Sequence, residues 1–345
     1  MEAFNDIFID CTSLGTKIPK EEYLQDGKHI VIDQGQNVIA GYTDIDEGLF
    51  DDVPAIIFGD HTRIVKYIDK PFFLGADGVK LLKAKRKDAN YKYLYYALKN
   101  ARIPDTGYNR HFKWLKEVNI EYPGPEKQDE IVEVLDKLST IIDIRKKEIS
   151  LLDELIKARF VEMFGDPVCN PFGLPIKKLS DLGSLERGRS QHRPRNAPEL
   201  LGGPYPLIQT GDVSTAGLYI TEYHSTYSEI GLKQSKMWKA GTLCITIAAN
   251  IAQTAIMNFD ACFPDSVVGF VPNDEINALY IHYWFVFFQK ILEEQAPQVA
   301  QKNINLKILS DLNVIVPEKK KLKQFEDFVA QIDKSKFRVV NKCII

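Results

Sequence analysis

No stretch of 18 apolar residues occurs in this chain, which excludes a membrane-spanning helix. The opening MEAFNDIFID is acidic and lacks a basic region followed by an apolar run, so no signal peptide is visible and a cytoplasmic location is expected. Cysteine is scarce and scattered. Cys11, Cys169, Cys244, Cys262 and Cys343 form no CxxC pair, which argues against a disulfide framework and a zinc site and leaves buried thiols as the expectation. Positive charge is not in excess either: the formal net charge of −3 lacks the footprint of a free-standing nucleic-acid binder. Binding of that kind must come from local patches or from a partner. GxxxxGK followed by Ser or Thr, HExxH and GxSxG are all absent. The six histidines, His29, His61, His111, His192, His224 and His282, show no ligand spacing. Asn170-Pro171-Phe172 lacks the second proline and the Gly-rich turn of an adenine-methyltransferase site, and reads as a linker. Pro264-Asp265 does not start a metal-nuclease carboxylate set. No catalytic site, metal or cofactor is expected.

What is present begins with a helix. Residues 126–163 contain neither Pro nor Gly, and their apolar residues recur in alternating steps of four and three: Ile131, Leu135, Leu138, Ile142, Ile149, Leu152, Ile156 and Met163, broken at Arg145 and Arg159. Such a helix would be roughly 55 Å long at 1.5 Å per residue. The stripe needs one partner helix rather than a surrounding core. Gly165 and Pro167 end it, the first by accepting a left-handed cap and the second by forbidding a further turn.

The same order of events occurs twice. The strand 118–123, ended by Pro123, is echoed at 312–317, ended by Pro317, an offset of 194. Upstream, 112–115 matches 306–309 at that offset, the aromatic helix 91–100 has its counterpart in 278–289, and Gln34-Gly35-Gln36 pairs with Thr210-Gly211-Asp212 at an offset of 176. Strands are expected at 29–33 and 55–58. A second amphipathic segment carries Leu322, Phe325, Val329, Ile332 and Val339. The chain therefore reads as globule 1–125, helix 126–164, globule 165–317, helix 318–345: a tandem duplication. The fold class is α+β, with two mixed α/β domains joined and separated by two long antiparallel coiled-coil helices in a pseudo-twofold internal repeat. Two similar heads a fixed distance apart suit two similar targets, the logic of paired DNA half-sites.

Among candidate contact residues the richest patch is 186–196. Arg187, Arg189, Arg193 and Arg195, with Gln191 and His192 between them, form a loop of fork-shaped donors able to grip phosphate or guanine, while an amide can pair with adenine. The alternative is a solvated basic loop or one paired with acids. Its counterpart, 12–20, offers Lys17 and Lys20. Gln301, Lys302 and Asn303 lead into the second repeated strand, and Tyr108, Asn109 and Arg110 hold the equivalent place in the first; a polar loop capping a helix is the plainer reading. The turn 248–253 has small residues that would let a backbone approach a ligand.

The stretches VNIEYPGPEKQDEIVEVLDKL (118–138), LNVIVPEKKKLKQFEDFVAQI (312–332), LLDELIKARFVEMFGDP (151–167) and PLIQTGDV (206–213) together resemble the DNA specificity subunits of type I restriction-modification systems. The resemblance covers essentially the whole chain. It implies that the globules are target-recognition domains reading the halves of a bipartite double-stranded DNA site, with the helices as a ruler. It further implies a subunit without activity of its own, binding two methyltransferase subunits that carry S-adenosylmethionine and, through them, restriction subunits (translocase-nucleases) that use ATP and Mg. Much of the basic surface around DNA would then belong to those partners. The rivals are a specificity subunit of another restriction-methylation type and a two-headed protein-interaction adaptor with no DNA role. Two departures from the pattern are that 175–182 finds no equivalent before Asp10, so the first domain is expected to start abbreviated, and that 28 residues follow Pro317, a short distal helix.

Overall fold

The computed structural model describes residues 1–75, 77–107, 109–248, 251–295 and 304–341. Contacts divide the chain into two compact units, 1–144 and 145–345, with the division inside the central helix.

In the first unit, strands Phe8–Asp10, Val79–Ala84, Ala55–Gly59 and Val65–Ile68 form an antiparallel sheet in that order. A second sheet orders Gly41–Thr43, His29–Ile32 and Phe72–Leu74, the last two parallel. Ala55–Gly59 is apolar throughout because both its faces are buried. Ile56 and Phe58 pack with Leu94 and Leu98 of helix Tyr91–Lys99, whereas Ala55 and Ile57 join Ile32, Leu74 and Leu81 on the other face. Asn90 caps that helix by accepting from the amides of Lys92 and Tyr93.

The second unit repeats this plan with matching register. Strands Gly183–Arg187, Val267–Pro272, Leu243–Thr246 and Thr254–Met257 follow one another as their counterparts do, with Tyr219–Ile220 added at the edge. Leu243 and Ile245 face one core and Cys244 the other. Leu201–Leu207 again has a parallel neighbour, Ala261–Cys262. The aromatic helix, Ala278–Gln295, runs beyond the expected 289.

Strand pairings correct two expectations. Ile176–Lys178 pairs with Asn313–Ile315, and Glu2–Ala3 pairs with Asn119–Ile120 in the same antiparallel sense. The first unit therefore has its opening strand. It was missed because two residues carry no alternation to recognise. Second, Ile32 aligns with Leu74 as Leu207 does with Cys262, an early offset of 175 rather than 176, so Gln34 corresponds to Gln209. Polar turn residues look alike when slipped by one position; strand register does not.

The central helix spans Pro125–Phe164, and Gly165 follows at φ +80° with its amide on the carbonyl of Val161. Its first half belongs to the first unit. There Ile131 and Val132 join the core, Gln128 accepts from the amide of Asn90, and Asp136 meets Lys92 at 2.5 Å and the Tyr96 hydroxyl at 2.7 Å. Leu138 and Ile142 of the expected seam are exposed. In the second unit Ile156, Phe160, Met163 and Phe164 are buried against Phe325, Val329 and Ile332 of the distal helix, Lys319–Asn341. Phe160 takes the buried place expected of a break, while half-buried Arg159 lies over the Phe328 ring and meets Glu162 at 2.8 Å. Lys321 donates to the carbonyl of Met163 at 3.4 Å while Lys336 meets Asp153 at 2.5 Å, so the two segments run antiparallel. Burial of each large aromatic here removes enough apolar surface for about 2 to 3 kcal/mol.

Of the cysteines, Cys11, Cys244 and Cys262 are buried and Cys169 is exposed; all four are free thiols. Cys169 lies in the turn after the central helix, where nothing covers it. Cys343 falls outside the described residues.

Candidate nucleic-acid interface

In the first unit the loops that follow the strands are tied by one amide. Gln34 donates from Nε2 to the carbonyl of Asp77 at 3.2 Å and accepts at Oε1 from the amide of His61 at 3.1 Å. The Thr62 hydroxyl donates to the carbonyl of Gln34 at 2.7 Å. Gly78, at φ +90°, leaves room for this amide, since a Cβ there would lie 2.6 Å from Gln34 Nε2. Beneath the loop, buried Lys66 donates to the carbonyls of Asp33 at 2.7 Å and Asn37 at 2.6 Å. Burial pushes its pKa down, opposed by the charge of Asp33.

Lys17 and Asp77 form an exposed ion pair at 3.0 Å. The hydrogen bond from Lys17 holds the Asp77 carboxyl below the usual range, and the charge of Arg110 acts in the same direction, which brings two of the expected cations to one carboxylate. Asn109 is exposed; its carbonyl lies 3.2 Å from His61 Nδ1 and its side chain donates to the carbonyl of Thr106. Arg63 pairs with Asp105 at 2.7 Å beside them. Lys20 is exposed in a short 3-10 turn, and Tyr108 falls outside the described residues.

In the second unit Gly188 is the point of closest approach. A Cβ there would lie 2.3 Å from the carbonyl oxygen of Phe263 and 2.4 Å from that of Pro264. This contact sets the arginine loop against Asp265. Arg187 donates to the Asp265 carbonyl at 3.0 Å from Nε and 2.7 Å from a terminal nitrogen. Arg195 lies 2.5 Å from Oδ1 and Arg193 3.5 Å from Oδ2. Gln234 Oε1 accepts from the amides of Gln191 and His192, and the Ser235 hydroxyl donates to the carbonyl of Arg189, so the loop backbone is braced from below. His192 is 3.9 Å from Glu199. The Arg189 guanidinium is exposed and has no partner among the described residues.

Gln301, Lys302 and Asn303 fall outside the described residues, as do Ala249 and Asn250 of the small-residue turn. Sequence reasoning passed over Asp77 and Lys66, placed Gln34 only as a repeated turn and set Asp265 aside with a rejected carboxylate set, yet all four organise the loops. The alignment of Asp77 with Asp265 is the signal that could have found the two acids.

A family model described as the type I restriction modification DNA specificity domain matches the chain twice, at 5–154 and 173–343. The chain belongs to the type I restriction-modification DNA specificity family. Within it, the chain is 23% identical over 279 residues to the EcoR124I/EcoR124II specificity subunit of Escherichia coli, covering 73% of this chain and 66% of that one. It is 26% identical over 167 residues to the HindI specificity subunit of Haemophilus influenzae, covering 47% of this chain and 36% of the relative. The chain thus spans under two thirds of the length of these relatives. A crystal structure of the S subunit from M. genitalium shares the fold, with a TM-score of 0.58 at 16% identity over 99% of this chain and 91% of that one. Among the described residues no helix is long and apolar enough to cross a membrane, and no three His, Cys, Asp or Glu side chains are grouped to hold a metal ion.

Proposed function

We propose that this chain is the non-catalytic DNA-specificity subunit of a type I restriction-modification complex, each unit reading one half of a bipartite site in double-stranded DNA. The observation that carries this reading is the duplication of a cation-bearing loop cluster on a duplicated sheet. Lys17 and Arg110 surround Asp77, and Arg187, Arg193 and Arg195 surround Asp265, on strands of matching register. The loops differ in donor chemistry, ammonium-led in one unit and guanidinium-led in the other, which suits two different half-sites. Family membership supports the same reading.

On this reading the chain binds no cofactor itself. Methyltransferase subunits bring S-adenosylmethionine, and restriction subunits bring ATP and Mg, to a complex working in the cytoplasm. The mild net negative charge fits a chain whose partners supply much of the basic surface around the duplex.

The test is selection from a randomised duplex library with the tagged full chain and whatever host subunits copurify. Two short motifs separated by a fixed unspecified gap are expected. No enrichment despite copurifying methyltransferase subunits would overturn the recognition role and leave a protein-interaction adaptor in its place.

A further inference from the structure

Asp77 and Asp265 occupy the same position of the repeat. Leu74 and Leu82 on either side of the first acid align with Cys262 and Phe270 on either side of the second, and 188 positions separate each pair, the two acids included. The surroundings match as well. Each acid has its backbone carbonyl tied by a side chain, Gln34 in the first unit and Arg187 in the second, and each turns its carboxylate to the loop after its unit's first long strand, to Lys17 in one and to Arg193 and Arg195 in the other. An acid facing the loop cations is unfavourable for holding DNA, since it repels the phosphates that those cations would neutralise. Its recurrence at one position of two loops that otherwise share little composition needs another explanation.

Resting on the DNA-reading function above, we propose that Asp77 and Asp265 are internal stand-ins for a DNA phosphate. They hold the loop cations when no target is bound and so suppress attachment to non-target sequence. A carboxylate presents oxygens to a guanidinium or ammonium much as a phosphate does. For Arg193, Arg195 or Lys17 to grip the backbone, it must leave its acid, and one charged contact is exchanged for another with little net gain. Random duplex gives the loop nothing more. A target duplex adds base contacts to donors the acids do not engage, Arg189 foremost. Arg195 meets the buried Asp265 Oδ1 at 2.5 Å, so drawing it off to a phosphate leaves that oxygen unpaired, a cost that random duplex must meet before it gains a contact. Asp77 and Asp265 are thus positioning residues that act on specificity through the cations.

The experiment titrates the full chain, with its copurifying subunits, against a mixed-sequence 30-base-pair duplex and against the duplex enriched in the selection, at several salt concentrations. Asp265→Asn is expected to bind the mixed-sequence duplex about five- to tenfold more tightly than wild type, with a smaller change for the enriched duplex and a steeper salt dependence as cations are freed. Asp77→Asn should move in the same direction by less, because one ion pair is released instead of two. Asp265→Glu, which keeps the charge, should behave as wild type, an outcome that a merely structural role would not give. Unchanged or weaker mixed-sequence binding by a folded Asp265→Asn overturns the inference. Should that variant fail to fold, an unchanged Asp77→Asn overturns it. Wild-type chain that shows no salt-sensitive binding to either duplex overturns the DNA-reading function itself; wild-type binding with insensitive variants overturns this inference alone.

Discussion

Lys336 Nζ lies 2.5 Å from Asp153 Oδ1, joining the distal helix to the second half of the central one across 183 positions of sequence. The pair marks the antiparallel register, but the rings beside it hold the helices together. Phe325 is fully buried with ring centroids of Phe160, Phe164 and Tyr283 at 5.6, 5.4 and 5.4 Å. Phe325→Ala should cost about 3 to 5 kcal/mol in denaturant unfolding of the second unit. Lys336→Ala should cost under about 1 kcal/mol, because half of the Asp153 side chain is exposed. Equal losses would mean that the ion pair, not the aromatic packing, fastens the helices.

Arg189→Ala should leave thermal stability unchanged, since its guanidinium has no partner among the described residues, and should relax discrimination at one half-site by about 1 to 3 kcal/mol. Competition among duplexes altered in one half-site at a time measures this. Uniform weakening across sequences, with a shallower salt slope, would assign Arg189 to phosphate instead.

Gly188→Ala forces a Cβ into two backbone carbonyls at 2.3 and 2.4 Å. A loss of about 1 to 3 kcal/mol is expected, together with release of Arg187 from the Asp265 carbonyl. Hydrogen exchange of residues 187–196 should accelerate, while exchange in the first unit stays as it was.

Lys66→Met keeps the apolar stem and removes the donor from the carbonyls of Asp33 and Asn37. The amides of 33–37 should exchange faster, and recognition of the first unit's half-site should weaken without change at the other. Unaltered exchange would mean that Gln34 alone holds the loop.

His282 is buried, 3.0 Å from the Thr254 hydroxyl, and burial pulls its pKa from 6.5 to about 4, with Lys336 adding to the shift. The folded state therefore resists a proton that the unfolded chain accepts from pH 6.5 downward. Stability is full above pH 6.5 and falls by about 3 kcal/mol as pH drops toward 4. His282→Asn should flatten that part of the acid limb, measured by urea unfolding across the range.

The long helices and the duplication were legible in the sequence because periodicity persists over many turns; the strand 55–58 was legible because burial on both faces leaves an uninterrupted apolar run. The opening strand was not, since Glu2–Ala3 is defined by its pairing with Asn119–Ile120 and by nothing in its own composition. The arginine loop stood out as charge. Its restraint did not: Asp265 is an ordinary acid in an ordinary turn until the close approach at Gly188 brings it to Arg187, 78 positions away. Helix capping shows the same divide. Asn90 and Asn277 both cap aromatic helices, yet neither announces itself without knowledge of where the helix begins.

The matched registers have a consequence for how such a chain can change over time. Ala3 and Lys178 stand 175 positions apart, Ile57 and Cys244 187, and Asn119 and Asn313 194, so the copies have drifted in length between these paired strands and not within them. An added residue within a strand inverts every side chain beyond it, whereas one in a connecting loop costs a few tenths of a kcal/mol. Inheritance has therefore been free to rewrite what each half touches while the frame beneath it stayed fixed.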